Sequence, residues 1–144
     1  MGRKGVSMND IDLEGVRKYV EENIHTFHDR RLASLRDTDL RHLIKKKNPY
    51  IFKAKHVETA QEIVESLLSA KLSSSEEEII GDFLEGLALF VATKTHGAHK
   101  SGVAGFDFEY EDDSTHYLFT VKSGQNWGNS RQWKGLENDC KTAL

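Results

Sequence analysis

Apolar and polar residues alternate in two short runs near the middle of the second half of the chain. Phe106, Phe108 and Tyr110 are interleaved with Gly105, Asp107, Glu109 and Glu111, and Tyr117, Phe119 and Val121 with Leu118, Thr120 and Lys122. A period of two predicts two strands, and the turn-rich cluster between them predicts a hairpin. Folding it between Asp113 and Ser114 sets Tyr110 opposite Tyr117, Phe108 opposite Phe119 and Phe106 opposite Val121. Every apolar residue then meets an apolar partner, which specifies the register.

Elsewhere the spacing is helical. Leu13, Val16, Tyr19, Val20, Ile24, Phe27, Leu32 and Leu35 predict one helix from Asp10 or Asp12 to about Leu35, after a frayed terminus over residues 1–9. Either aspartate can cap it. Asp37-Thr38-Asp39 opens a short helix through Ile44, and Lys45-Lys46-Lys47 followed by Asn48-Pro49-Tyr50 ends it, because proline lacks the donor and constrains its predecessor. A further helix is expected from His56 to Ala70. Ser75 and Glu78 have capping-box spacing, so a new helix is expected from Ser75 to about Thr95. Gly81, Gly86, Ala88, Leu89 and Ala92 lie opposite its main stripe and predict packing on both sides, the glycines allowing close approach. His96 to Gly102 reads as a loop into the first strand. The last helix runs from about Asn129, with Trp133, Leu136, Cys140 and Leu144 at helical spacing.

The fold class these elements predict is α/β (α+β). A helical amino-terminal region over 1–72 precedes a core over 73–144, in which a helix packs on a hairpin-centred mixed sheet. At 144 residues the chain makes one compact domain of ordinary core size. No apolar run reaches membrane-spanning length and the first residues lack a signal segment, so the expected location is cytoplasmic. The single Cys140 excludes an internal disulfide framework and a cysteine-rich zinc site, and reads as a small core residue.

Net charge is −3, unevenly spread: residues 1–55 carry thirteen Lys/Arg against eight Asp/Glu, residues 56–118 three against thirteen, and residues 119–144 four against two. A polyanionic partner would be held by the two ends. The basic run with Tyr50, Phe52, Lys53 and Lys55 reads equally as a phosphate-backbone contact and as a charged helix end followed by a buried aromatic anchor. His25 and His28 stand one turn apart with no third ligand near them in sequence, which reads as chance on an amphipathic helix.

The predicted register also places chemistry. Asp107 shares a face of the sheet with Thr120, Glu109 with Leu118, and Lys122 lies diagonal to Asp107, roughly 7–8 Å away. Two carboxylates and an ammonium then converge, with room for a divalent cation and a water. Mg²⁺ binds through one or two carboxylates and keeps several waters. A metal so held polarises a phosphoryl oxygen while a lysine positions the attacking water. Charge alternation of this kind also occurs on merely solvated hairpins.

Gly105-Phe106-Asp107-Phe108-Glu109, a turn, and Phe119-Thr120-Val121-Lys122-Ser123-Gly124 resemble the core of the PD-(D/E)XK nuclease superfamily, specifically its type II restriction endonucleases. The resemblance covers roughly residues 73–144. It implies hydrolysis of phosphodiester bonds in double-stranded DNA with Mg²⁺, a homodimer, and a cognate DNA methyltransferase as functional partner. By the same resemblance Asp107 binds metal, Glu85 or Glu109 completes the site, and Lys122 positions the water. Thr120 departs from the pattern, where the family usually has Asp or Glu. Members with Ser or Thr there take a carboxylate from elsewhere, for which Glu78 and Glu137 are also candidates. Gln125, Asn126, Trp127, Asn129, Ser130 and Arg131 follow the lysine and are the expected DNA-facing residues, together with Gln132. The superfamily core has more sheet than this sequence supplies, which suggests an amino-terminal fragment. The alternatives are a catalytically inactive nuclease-like domain that binds DNA or a protein partner, a repair or junction nuclease, and a helical interaction module.

Overall fold

The computed structural model describes residues 11–124 and 127–143, so the expected frayed terminus and the amides Gln125 and Asn126 lie outside the described residues. The fold is α+β: helices plus one small sheet. By internal contacts the chain divides into two compact units, one made of the segment ending at Ile24 together with the chain from Gly81 onward, the other of His25–Ile80.

Within the second unit, α2 (His25–Arg36) is followed by α3 (Leu40–Lys45) and α4 (Pro49–Ala54). The single helix expected to reach Leu35 is therefore two, α1 (Leu13–Asn23) and α2, meeting at Ile24. The Asn23 side-chain amide donates to the Tyr19 carbonyl at 2.7 Å, the local competition with backbone bonding that favours asparagine at helix ends. Asp12 caps α1, accepting from Gly15 N at 2.9 Å, and Asp39 caps α3, accepting from Arg41 N at 2.9 Å. Helix α4 was not expected. Pro49 ends one helix and also starts the next, since its missing N–H costs nothing at a first helical position and Asn48 Oδ1 accepts from Tyr50 N at 3.0 Å.

One continuous helix, α5 (Ala60–His96), replaces the two expected from His56 and from Ser75. The capping box sits at its true start, where Thr59 Oγ1 accepts from Glu62 N at 3.2 Å and Glu62 Oε2 accepts from Thr59 N at 2.9 Å. Ser75 is instead buried inside the helix. Its hydroxyl donates to the Lys71 carbonyl at 2.9 Å and accepts from Ser34 Oγ at 2.7 Å. With no Gly or Pro between residues 60 and 80, three serines did not suffice to break it.

In the first unit the sheet is β1 (His99–Lys100), β2 (Phe108–Asp112) and β3 (Thr115–Phe119), in the order β1-β2-β3, all antiparallel and not mixed. The hairpin register is the expected one, with Phe108 opposite Phe119, Glu109 opposite Leu118 and Tyr110 opposite Tyr117, but the ladder stops at Phe108–Phe119 and the expected Phe106–Val121 pair is not part of it. The turn residue Asp113 takes φ +52°, which aspartate tolerates well. Phe108 stacks on Phe119 at 4.9 Å and Tyr110 on Tyr117 at 4.9 Å, so the aromatic face is cross-linked strand to strand. That face and the Leu84, Leu87 and Val91 side of α5 line an apolar cavity of about 500 Å³. On α1, the Tyr19 ring stacks on Phe90 at 4.7 Å. A Cβ on Gly86 would lie 2.6 Å from its hydroxyl, so the close approach expected of that glycine is real.

The last helix, α6 (Ser130–Ala143), puts Trp133 at 56 % exposure and leaves Cys140 exposed. Cys140 is not a core residue, because the apolar stripe of α6 has no buried member among the described residues.

Candidate active site

Asp107 stands just before β2 and Lys122 just after β3, so the hairpin register brings them together. Asp107 Oδ2 accepts from Val121 N at 2.6 Å and from the Thr120 hydroxyl at 3.1 Å, and Lys122 Nζ lies 3.8 Å away. Asp107 N in turn donates to the Phe119 carbonyl at 2.7 Å. The carboxylate is therefore fixed through one oxygen. Oδ1 has no partner among the described residues, and the side chain keeps 21 % exposure. Thr120, where the resemblance leads one to expect an acid, contributes a donor that orients Asp107.

Glu109 shares that face two residues on, and its surroundings differ. Both oxygens are engaged: the Ser101 hydroxyl donates to Oε2 at 2.6 Å, Gly102 N to Oε1 at 3.5 Å, and His99 Nε2 and His116 Nε2 lie 3.4 and 3.5 Å away. Its side chain is 12 % exposed. The Ser101 hydrogen bond holds the carboxyl below the usual glutamate range against the opposing effect of desolvation, with Gly102 N–H, His116 and His99 adding to the depression. The short strand β1 makes this possible, since its ladder sets His99 directly opposite Glu109.

Glu85 lies half-buried on α5, with Lys100 Nζ 4.0 Å from Oε1. It stands one turn from Gly81, on the same helix face, and a Cβ on Gly81 would lie 3.5 Å from Ser123 Oγ, beside Lys122. Glu78 is exposed, and Glu137 is exposed and paired with Lys141 at 2.7 Å. One acid was missed by the sequence reading. The Asp139 carboxylate of α6 packs on Gly105, where φ is +91° and a Cβ would lie 2.7 Å from Asp139 Cγ, so only glycine fits. No group of three His, Cys, Asp or Glu among the described residues is arranged to hold a metal by itself.

Of the expected DNA-facing residues, Asn129 accepts from Arg131 N at 3.1 Å and Gln132 N at 3.0 Å, while Gln132 Oε1 accepts from Gly128 N at 2.9 Å. Their side-chain oxygens are used in a reciprocal cap of α6. Trp127 packs edge-on against Trp133, centroids 5.0 Å apart. Ser130 and Arg131 are exposed.

A family model described as "Type II restriction endonuclease EcoO109I" matches residues 14–144. The chain belongs to that family. The match takes in nearly the whole chain, the helical amino-terminal part as well as the hairpin, and makes it a DNA endonuclease by kinship. No curated protein matches the chain. No solved structure does either. For a restriction endonuclease, the convergence of Asp107 and Lys122 across one hairpin is the feature to carry into chemistry. No helix among the described residues is long and apolar enough to cross a membrane.

Proposed function

We propose that the chain is a Mg²⁺-dependent endonuclease of the PD-(D/E)XK type that hydrolyses phosphodiester bonds of double-stranded DNA at a fixed sequence, acting as a homodimer. The observation that carries this reading is the Asp107–Lys122 pair. One carboxylate oxygen is locked by Val121 N and Thr120 and the other has no partner among the described residues, beside an ammonium 44 % exposed.

The residues suit a hard cation, because Mg²⁺ needs only one or two protein carboxylates when waters and substrate phosphates fill the remaining positions. Asp107 would hold it, with Glu85 the favoured second acid, since both oxygens of Glu109 already have donors. When bound, the metal would neutralise charge on the phosphoryl oxygens. The protein's own part is positional: Thr120 and Val121 N fix the carboxylate, and Lys122 holds the attacking water and favours the negative charge that develops on the phosphate. Ser130 and Arg131, exposed after the lysine, are the described groups that would reach the DNA.

Thr120 gives a second reading some ground: a domain that binds DNA without cutting it. Incubating unmethylated phage DNA with Mg²⁺ and the chain, beside Asp107→Ala and Lys122→Ala, separates the two. Discrete fragments that vanish in both variants support the nuclease. DNA bound but uncut by the unaltered chain would replace it with the binding domain.

A further inference from the structure

Residues 40–57 hold six Lys/Arg and not one Asp or Glu. In the structure they form α3, α4 and their connection, and Arg41, Lys45, Lys46, Lys47, Lys53 and Lys55 are all exposed. Among the described residues none of the six has a carboxylate partner. Several cations elsewhere on the chain are paired, among them Arg17 with Glu14 and Glu21, Arg31 with Glu76, and Lys141 with Glu137. A cation at a helix C-terminus offsets the dipole, which accounts for one lysine per helix, and these two helices have only six residues each. The helix ends leave the remaining cations of the segment without a local role. Tyr50 projects from the same segment at 75 % exposure, so the alternative of a buried aromatic anchor does not hold for it. Lys47 and Lys55 also line a cavity of about 220 Å³ floored by Phe52 and Leu67.

We infer that the α3–α4 segment is a phosphate-backbone contact surface for duplex DNA. The inference rests on the nuclease reading for its partner and on charge complementarity for its place. Lysines meeting phosphates release condensed counterions, and the affinity gained is independent of base sequence. Tyr50 adds a hydroxyl donor and a flat apolar body beside the backbone.

The test is the salt dependence of binding. The full chain without divalent metal is titrated into a short fluorescein-labelled duplex over a series of salt concentrations, beside Lys45→Gln/Lys46→Gln/Lys47→Gln and the matching triple arginine variant. Each lost phosphate contact lowers the slope of log K against log salt by about 0.9. The glutamine variant is expected to lose about 2 to 3 from the slope and bind at least about tenfold more weakly near 0.1 M salt. The arginine variant should keep the slope of the unaltered chain, and with Mg²⁺ the glutamine variant should cut at unchanged positions. An unaltered chain that binds duplex while the glutamine variant keeps its slope would overturn this surface alone and leave the nuclease standing. A chain that binds no duplex even at low salt would overturn both.

Discussion

Asp107 and Glu109 are two carboxylates on one face of one hairpin, two residues apart, and the structure treats them differently. Asp107 is held through one oxygen, and the other has no partner among the described residues. Glu109 is more enclosed, with donors from Ser101 and Gly102 and imidazoles from strands on both sides. The sheet explains the difference. Glu109 sits on the central strand with side-chain partners from both sides, whereas Asp107 precedes β2: its backbone bonds to Phe119 and to Ser101, but its carboxylate bonds only to residues after β3 among the described residues. Equal charges in an alternating pattern thus become a carboxylate held by one oxygen at one end and a fastener for the 99–102 segment at the other.

Substitutions can sharpen or break this contrast. Lys122→Ala removes the cation from the Asp107 end and should lower single-turnover cleavage by roughly 10²–10⁴-fold, with duplex binding retained. Phe108→Ala strikes the strand that carries both ends. Phe108 is 6 % exposed and stacked on Phe119, so chemical denaturation should show a loss of about 3–5 kcal/mol. Thr120→Val deletes one of the donors to Asp107 and leaves Val121 N in place. A stability loss of about 1 kcal/mol is expected, together with slower cleavage, and an unchanged rate would mean that Thr120 does not orient the carboxylate.

Glu109 predicts an acid limb. Its carboxyl is depressed in the fold, so the stability it contributes is present above the unfolded glutamate value of about 4.3 and is lost as pH falls through the lower folded value. Melting temperatures taken through that window should fall less steeply for Glu109→Gln than for the unaltered chain. Coincident acid limbs would deny the fastener role.

The hairpin's register was legible because it sets apolar residues opposite apolar ones, and it brought Asp107 beside Lys122; the strands are shorter than expected, and the Phe106–Val121 pair lies outside the ladder. Strand β1 was not legible. His99 and Lys100 carry no apolar alternation, so nothing in the sequence announced the imidazole opposite Glu109. The long helix misled for a related reason. A serine followed three residues later by glutamate occurs at Ser75–Glu78 as a cap signal, yet the same kind of spacing at Thr59–Glu62 is the one used, and a helix already propagating turns a serine hydroxyl back on its own carbonyls. Asp139 was invisible because its contact with Gly105 is made across the fold, and no local spacing encodes it.

The most direct measurement is single-turnover cleavage of duplex DNA in Mg²⁺ by Asp107→Asn beside Glu109→Gln. Cleavage abolished in the first and kept within about tenfold of the unaltered chain in the second is the expected result, since in the proposed mechanism one removes a metal-binding oxygen and the other only an anchor. Cleavage that survives Asp107→Asn, or is lost as fully in Glu109→Gln, would contradict the division of roles between the two ends of the sheet.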